Sequence, residues 1–345
     1  MSVTHRPRSV TELADLLRSR PGRVRLHGSG TRQHRIADAG AAVRVDLRGL
    51  DTIHRLDAPD LTCSVDAGVE RAALDRELHA RGVELPCAGA GTIGGLFAHD
   101  PVGPLTLGGG APRSLLLGLE AMLADGTTFK CGSRVVKSVA GFDVHKLLVG
   151  SDGRLFVATR LHLRLVPRPR EEQWFRNAAV DERTALERFV ALRAMATPPA
   201  ALHVLRAAGV WTIAGRVTGR GIHVARVMRD HRLADGDPFT ALHATPPAGG
   251  EVVTGIVRPS RVPALLAAVP PNAPFVMHGG GRYAIGFATP RETDTFLAAA
   301  ATVPTHANLV VGAPERRGRG TALDPGQRRL VDGLKHALDP DGILV

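Results

Sequence analysis

Two glycine-rich loops contain the residues whose types and spacing best suit ligand binding. In the first, Val24–His27 predicts a short strand that runs into Gly28-Ser29-Gly30-Thr31. The two glycines leave several backbone N–H groups free to point one way, and such a nest attracts phosphate. The loop lacks both the following helix of a Rossmann fingerprint and the Lys-Ser/Thr of a P-loop. An ordinary hairpin turn explains the same residues equally well.

The second loop, residues 91–98, contains the pair Gly94 and Gly95 beside the hydroxyl of Thr92. Glycine lets the backbone approach a ligand closely, so a bulky residue at Gly94 is expected to block a ligand with less effect on folding. The whole of residues 87–110 is dense in glycine, which predicts irregular backbone beside a ligand rather than a regular element.

The apolar pattern of the sequence predicts both helices and strands as the elements that position these loops. Apolar spacing of 3.6 residues predicts helices over residues 10–18, 69–81, 144–149, 182–194, 221–231, 260–268, 291–300 and 325–338. Alternating or continuous apolar runs predict strands over residues 24–27, 43–47, 61–66, 115–123, 127–131, 155–165, 202–205, 210–217, 252–257, 275–278, 283–287 and 308–311. Pro167 and Pro169 then predict a domain boundary, because proline does not continue a strand ladder.

The order and spacing of the motifs carry a resemblance to a known family. These motifs are GSGT (28–31), TIGG (92–95), ADG (124–126), KSVAGFD (137–143) and KLLVGSDG (146–153), followed by a long strand that closes on the proline pair. In that order they resemble the PCMH-type FAD-binding domain of the vanillyl-alcohol-oxidase-like flavoproteins, and within them the FAD-binding subunits of glycolate oxidase. The likeness covers about the first half closely and returns at residues 330–345, which are similar to the family's closing helix and Asp-Pro-x-Gly-Ile turn.

The resemblance implies an α+β fold in three parts. Residues 1–169 would form a two-subdomain FAD-binding domain, and residues 170–311 an α+β cap or substrate domain. Residues 312–345 would form a C-terminal helix and tail that pack back toward the FAD domain.

The resemblance also implies which residues contact FAD. The implied cofactor-binding residues are Gly28, Ser29, Gly30, Thr31, Thr92, Ile93, Gly94, Gly95, Ala98, Gly141, Asp143 and Val157. Residues 28–31 would supply backbone N–H groups to the pyrophosphate, and residues 92–98 would pass beside the flavin and the ribityl chain. In covalent members a histidine commonly follows a glycine pair in the first loop. Here Thr31 follows Gly30, so non-covalent FAD is expected.

The implied function is that of an FAD-dependent oxidoreductase that transfers a hydride from a 2-hydroxy acid or similar alcohol to flavin. It would act with other subunits of a glycolate-oxidase-like complex, and the sequence does not identify the catalytic base. A non-catalytic structural or regulatory subunit of the same fold is the alternative. It rests on Phe156, which stands where the family usually has glycine, and on the chain stopping at Val345, before the family's usual Asn-Pro-Gly.

Several other side chains have a simpler structural explanation beside a functional one. In the functional interpretation, Lys137 and Asp143 reach a substrate or the flavin. In the structural one, Lys137 is a solvated lysine and Asp143 is the N-cap of the helix that follows. His278 and Arg282 would line the substrate face, with the guanidinium pairing a carboxylate, or would flank a hairpin turn. The 15 histidines include no HExxH, and the three cysteines include no CxxC, so no metal site is expected.

Composition places the chain among globular proteins and leaves its partner open. With 44% hydrophobic and 22% charged residues among 345, disorder and fibrous structures are excluded. Lys+Arg 44 minus Asp+Glu 33 gives +11, which suits an anionic ligand, an acidic protein or nucleic acid. Aromatic residues at 4% are too few for base-stacking platforms, so nucleic acid is not expected. No membrane span or signal peptide is predicted, which indicates a cytoplasmic protein that partner subunits could hold at the inner membrane.

Overall fold

The three-dimensional structure of the chain is a computed structural model. It describes residues 4–31, 43–87, 89–99, 105–135, 142–179, 181–236, 249–303, 305–321 and 323–345. These residues form helices and strands throughout, so the α+β fold class is confirmed.

Ten α-helices lie within the described residues: α1 Val10–Arg18, α2 Arg71–His79, α3 Ile93–Ala98, α4 Thr106–Gly109, α5 Pro112–Leu115, α6 Glu182–Arg193, α7 Gly221–Asp230, α8 Val262–Leu266, α9 Pro290–Ala300 and α10 Pro325–Leu338. The same residues contain 17 strands: β1 Thr4–His5, β2 Val24–His27, β3 Val43–Asp46, β4 Ile53–Asp57, β5 Thr62–Asp66, β6 Val83–Glu84, β7 Leu116–Met122, β8 Thr128–Gly132, β9 Val157–Arg164, β10 Val166–Pro167, β11 Glu171–Ala179, β12 Ala201–Ala207, β13 Val210–Gly219, β14 Glu251–Val257, β15 Phe275–His278, β16 Arg282–Phe287 and β17 Thr305–Val311.

Most of the predicted elements are confirmed, and one stretch was wrong. The predicted bounds of α1, β2, β15 and α10 agree with the structure, and β7 and β8 form the predicted antiparallel hairpin. Residues 87–110, expected to be irregular, contain α3 and α4 instead. The strands β4 and β11 were missed.

Two larger sheets build the N-terminal half, beside the two-stranded antiparallel pair of β6 and β10. The first is parallel with strand order β1-β3-β2, and α1 supplies Leu13 and Leu17 to its core. The second is antiparallel with order β4-β5-β9-β7-β8, and its core includes Leu74 and Leu78 of α2 and most of α3. Strand β9 lies between these two cores, because Val157 belongs to the first and its neighbours Phe156 and Ala158 belong to the second.

A third sheet of seven strands occupies the later half, with order β11-β13-β12-β15-β16-β14-β17 and antiparallel pairing throughout. Side chains from α6, α7, α8 and α9 fill one core with this sheet, including Phe189 and Phe296. Helix α4 joins this sheet to the N-terminal half, since the backbone N–H of Gly108 donates to the carbonyl of Ala200 at 3.0 Å.

The C-terminal segment returns to the first sheet. Asp324 and Gln327 form a capping box that starts α10, and the helix ends before Asp339. Asp339 is 1% exposed, and its carboxylate accepts the backbone N–H groups of Ile343 and Leu344. Leu344 then pairs with Val24 of β2 in a parallel bridge and lies in the first core. The tail therefore stabilises the strand that precedes the first glycine loop.

Candidate cofactor-binding site

A cleft with about 690 Å³ of empty volume, which includes space open to solvent, lies where the first two sheets meet. Its described lining residues come from β2, α3 and the start of β9, from the segments that follow β2, β3, β5 and α3, and from the segments that precede α3 and β9. They are Leu26, His27, Gly28, Ser29, Gly30, Thr31, Leu47, Ala67, Thr92, Gly94, Gly95, Ala98, His99, Leu148, Asp152, Gly153, Phe156 and Ala158. Both predicted glycine loops therefore reach one cavity, although more than 60 residues separate them in the chain.

One wall of the cleft is the loop of residues 28–31 that follows β2. Among the described residues, no acceptor receives a hydrogen bond from the backbone N–H of Gly28, Ser29 or Gly30. Gly30 has φ +73°, a left-handed conformation that glycine adopts without steric cost. Successive backbone N–H groups in such a turn can bind an anion through their aligned dipoles.

The first loop is locked to the second by close packing. A Cβ added to Gly28 would lie 2.2 Å from Thr92 Oγ1, and a Cβ added to Gly91 would lie 2.6 Å from Thr31 Oγ1. The hydroxyl of Ser29 also donates to the carboxylate of Glu70, the N-cap residue of α2. Glycine at positions 28 and 91 thus lets the two loops touch, rather than leaving room for a ligand.

The second wall is α3, which begins at the N-cap Thr92. Thr92 Oγ1 accepts the N–H of Gly95 at 3.4 Å, which is a long hydrogen bond. Gly94 donates its N–H to the carbonyl of Ala67 at 2.7 Å, and a Cβ at Gly94 would lie 2.7 Å from the Cβ of Ala67. A Cβ added at Gly95 would instead lie 3.1 Å from Thr92 Oγ1. Gly94 therefore packs the helix onto the protein, and Gly95 faces the open cleft.

The floor of the cleft is formed by Phe156 and Ala158 at the start of β9. The benzyl group of Phe156 is 1% exposed and stacks edge-on against Phe129, with 5.4 Å between the ring centroids. Phe156 therefore packs in the second core and also forms part of the lining of the cleft.

Comparison with known proteins decides what class of ligand the cleft serves. Residues 1–132 match the family model described as FAD binding domain. Over these residues the chain is therefore similar to FAD-binding domains, and the resemblance to the PCMH-type flavoproteins is confirmed. The expectation of FAD as cofactor is thereby confirmed.

Curated relatives of this part of the chain include three named as oxidoreductases or their subunits. The chain is 32% identical over 127 residues to glycolate oxidase subunit GlcD of Bacillus subtilis, which is 36% of this chain and 27% of that protein. It is 35% identical over 119 residues to D-lactate dehydrogenase of Archaeoglobus fulgidus (34% and 27%). It is 31% identical over 131 residues to glycolate oxidase subunit GlcE of Escherichia coli (36% and 37%). The chain thus matches between about a quarter and two fifths of the length of these relatives.

The likeness in fold extends beyond this part of the chain. A solved structure of an alkyldihydroxyacetonephosphate synthase superposes on 99% of this chain and 76% of its own, with a TM-score of 0.73. Sequence identity in that comparison is 12%, so it shows a shared fold alone.

The residues of the cleft fit FAD in three respects. The loop 28–31 presents backbone N–H groups, Gly95 leaves the wall of the cleft open, and Phe156 packs in the second core. No lysine or arginine is among the described lining residues, so amide dipoles rather than fixed cations face the phosphates there.

The predicted contact residues divide into those on the cleft and those elsewhere. Eight line it: Gly28, Ser29, Gly30, Thr31, Thr92, Gly94, Gly95 and Ala98. Ile93 and Val157 are fully buried in the second and first cores, and Asp143 has a side chain 77% exposed beside His145. Gly141, like Lys137, lies outside the described residues. As individual contacts to FAD, all 12 stay predictions.

The expected capping role of Asp143 was wrong. A 3₁₀-helix does begin at Val144, but the carboxylate of Asp143 accepts no capping hydrogen bond from it. The segment is held instead by Lys146, whose ammonium donates to the carbonyls of Arg113 and Leu116. Burial lowers the pKa of Lys146, because desolvation disfavours the charged form.

Two further candidate pairs lie away from the cleft. The ring of His278 contacts His203 at 2.6 Å between the Nδ1 atoms; His278 ends β15, and His203 lies opposite it on β12 of the seven-stranded sheet. Burial holds the pKa of His203 well below its usual value. The Oγ of Ser64 and Nδ1 of His162 lie 2.8 Å apart, but both residues are buried and burial lowers the pKa of His162 to about 4. A buried, neutral pair of this kind gives a substrate no access.

Sequence reasoning missed the ionisable pair that does line the cleft, His99 and Asp152. Nδ1 of His99 is hydrogen-bonded to Oδ1 of Asp152. Asp152 belongs to the motif KLLVGSDG, and His99 directly follows the predicted contact Ala98, so both stood beside residues already singled out. Within the described residues no cluster of His, Cys, Asp and Glu is suited to a metal ion.

Proposed function

We propose that the chain is an FAD-linked oxidoreductase that acts on a 2-hydroxy acid or similar alcohol. The observation that carries the proposal is the meeting of the GSGT and TIGG loops on one cleft within residues 1–132, the part that matches an FAD-binding domain. The relatives named glycolate oxidase subunits and D-lactate dehydrogenase support the substrate class. Bound FAD would supply the chemistry by accepting a hydride from the substrate carbon.

The residues of the cleft would bind and orient the cofactor. Backbone N–H groups of residues 28–31 would hold the diphosphate, and the Gly95 side of α3 would lie along the ribityl chain. Ala67 and Phe156 would exclude water from this part of the cleft, since both contribute apolar atoms to its lining. Because no side chain of the loop is placed for a covalent bond, the cofactor would be non-covalent.

The remaining parts of the proposal concern architecture and partners. Residues 1–169 would act as the FAD domain, residues 170–311 as the cap that bears the substrate, and residues 312–345 as a return segment, supported by the pairing of Leu344 with Val24. The printed subunit names of two relatives support a complex with other chains. Among the described helices none is long and apolar enough to cross a bilayer, and partner chains would provide any attachment to the inner membrane.

We expect the holoprotein to be reduced by its substrate and to turn over efficiently only with partners. Anaerobic addition of glycolate or D-lactate should bleach the flavin absorbance, because hydride transfer to flavin needs no second acceptor. Dye reduction by the lone chain should be several-fold slower than by the chain co-expressed with its genomic neighbours.

The bleaching measurement tests the proposed reaction, and the turnover measurement tests the proposed complex. If no 2-hydroxy acid bleaches the flavin of a holoprotein that binds FAD stoichiometrically, the proposed reaction is wrong. Full turnover by the lone chain with oxygen as acceptor, without any increase when partners are present, would refute the proposed complex. The proposed reaction would still stand.

A further inference from the structure

An imidazole and a carboxylate face the FAD cleft from two separate segments. His99 follows the last residue of α3, and Asp152 lies 53 positions later, in the loop before β9. Their side chains are 12% and 40% exposed, and both line the cleft. The pair therefore lies at the rim of the cavity, where a bound cofactor would meet it.

The backbone around Asp152 is arranged to hold this contact. Asp152 has φ +52°, a left-handed conformation that few residues other than glycine adopt, although Asp and Asn adopt it more readily than most. Its N–H donates to the carbonyl of Ala98 at 3.0 Å, which ties the loop to the end of α3. Unusual backbone of this kind persists where the surrounding contacts enforce it.

The carboxylate fixes which nitrogen of His99 is available to a ligand. Because Asp152 occupies Nδ1, a ligand would be met through Nε2, for which no partner is found among the described residues. When the imidazole is protonated both nitrogens are donors, so Nε2–H can then donate to an anionic oxygen.

The charges around the pair leave few other cations for the phosphates of FAD. The titratable groups in the described lining are His27, at the end of β2, and His99 and Asp152 themselves. Glu70 reaches the opposite rim from α2 through its bond to Ser29. The loop of residues 28–31 contributes no charged side chain, so among the described lining residues only the two histidines can carry positive charge.

We propose that His99, positioned by Asp152, donates a hydrogen bond from Nε2 to a phosphate oxygen of bound FAD and makes cofactor affinity depend on pH. The inference rests on the proposed FAD-dependent function only as far as cofactor binding, and it needs no assumption about the substrate. Asp152 is a positioning residue in this arrangement, and Asp152 and His99 together supply the contact that the uncharged loop lacks.

The test is a titration of apo-protein with FAD, followed by flavin fluorescence, from about pH 5.5 to about pH 8.5. The parent should bind FAD about tenfold more tightly at the acid end, because a charge-assisted hydrogen bond is present there and absent when the imidazole is neutral. His99→Gln should bind weakly across the range with no such dependence. Asp152→Asn keeps a residue that tolerates the left-handed backbone and should lose several-fold in affinity at the acid end.

His79→Gln is the matched control, since His79 is the last residue of α2 and is not among the described residues that line the cleft. It should keep both the affinity and the pH dependence of the parent. A parent-like pH dependence in His99→Gln, or its loss in His79→Gln, would overturn the assignment to His99, and parent-like binding by Asp152→Asn would overturn the role of Asp152. Thermal unfolding of each apo-protein shows whether the variant is folded. If His99→Gln does not fold, the pH dependence of FAD binding by Asp152→Asn tests the proposal instead. FAD binding without substrate oxidation would refute the proposed reaction and leave this inference standing.

Discussion

Replacing Gly95 with leucine is expected to abolish detectable FAD binding while the apo-protein stays folded. Gly95 lines the cleft, and outside the backbone of its own helix the one described heavy atom within 4 Å of a Cβ there is the hydroxyl oxygen of Thr92, at 3.1 Å. The rest of the side chain would therefore extend into the space that the cofactor would occupy. The stability of the apo-protein should change by no more than about 1 kcal/mol, because leucine favours a helix over glycine by a similar amount. Isothermal titration with FAD and urea unfolding measure the two effects.

Gly333→Leu is the matched control for this substitution. Gly333 also lies within a helix, α10, and outside that helix's own backbone no heavy atom of the described part of the chain lies within 4 Å of a Cβ added there. It should bind FAD as the parent does. Parent-like affinity in Gly95→Leu would show that the cofactor does not pass along this side of α3.

Replacing the adjacent Gly94 with valine is expected to destabilise the fold itself. Its Cβ would lie 2.7 Å from the Cβ of Ala67 and 2.9 Å from the carbonyl oxygen of Ala67, and that backbone cannot move away without losing its hydrogen bond to the N–H of Gly94. Overpacking of this kind costs about 3 kcal/mol. Urea unfolding of the apo-protein should show the loss directly.

This outcome reverses the expectation from sequence, in which a bulky residue at Gly94 blocks the ligand with less effect on folding. An unfolding midpoint equal to that of the parent would contradict the packing role of Gly94. The two neighbouring glycines are therefore expected to separate cofactor binding from folding, because a Cβ at Gly94 would meet Ala67 while a Cβ at Gly95 would not.

Sequence placed the first loop well because its signals are local. The alternating run Val24–His27 and the glycines that follow it predict a strand and a tight turn, and the structure has both. The helix α3 could not be found in this way, since two adjacent glycines disfavour a helix. Its position is set by tertiary contacts, including the hydrogen bond from Gly94 to Ala67.

Long-range pairing accounts for the other omissions. Strand β11 was missed because Glu171 and Glu172 are typical of a linker, yet the strand pairs along its whole length with β13 and buries Phe175. The contact between His99 and Asp152 joins residues 53 positions apart, and no spacing rule brings them together. The ionisable pair of the candidate site could therefore be identified from the structure but not from the sequence.

The central claim is that this cleft binds FAD, and the visible absorbance spectrum of the freshly purified chain tests it most directly. The protein should be yellow with close to one flavin per chain, and acid precipitation should release that flavin into the supernatant as FAD. Colour retained in the pellet would contradict non-covalent binding. A colourless protein that also fails to quench the fluorescence of added FAD would contradict the claim itself.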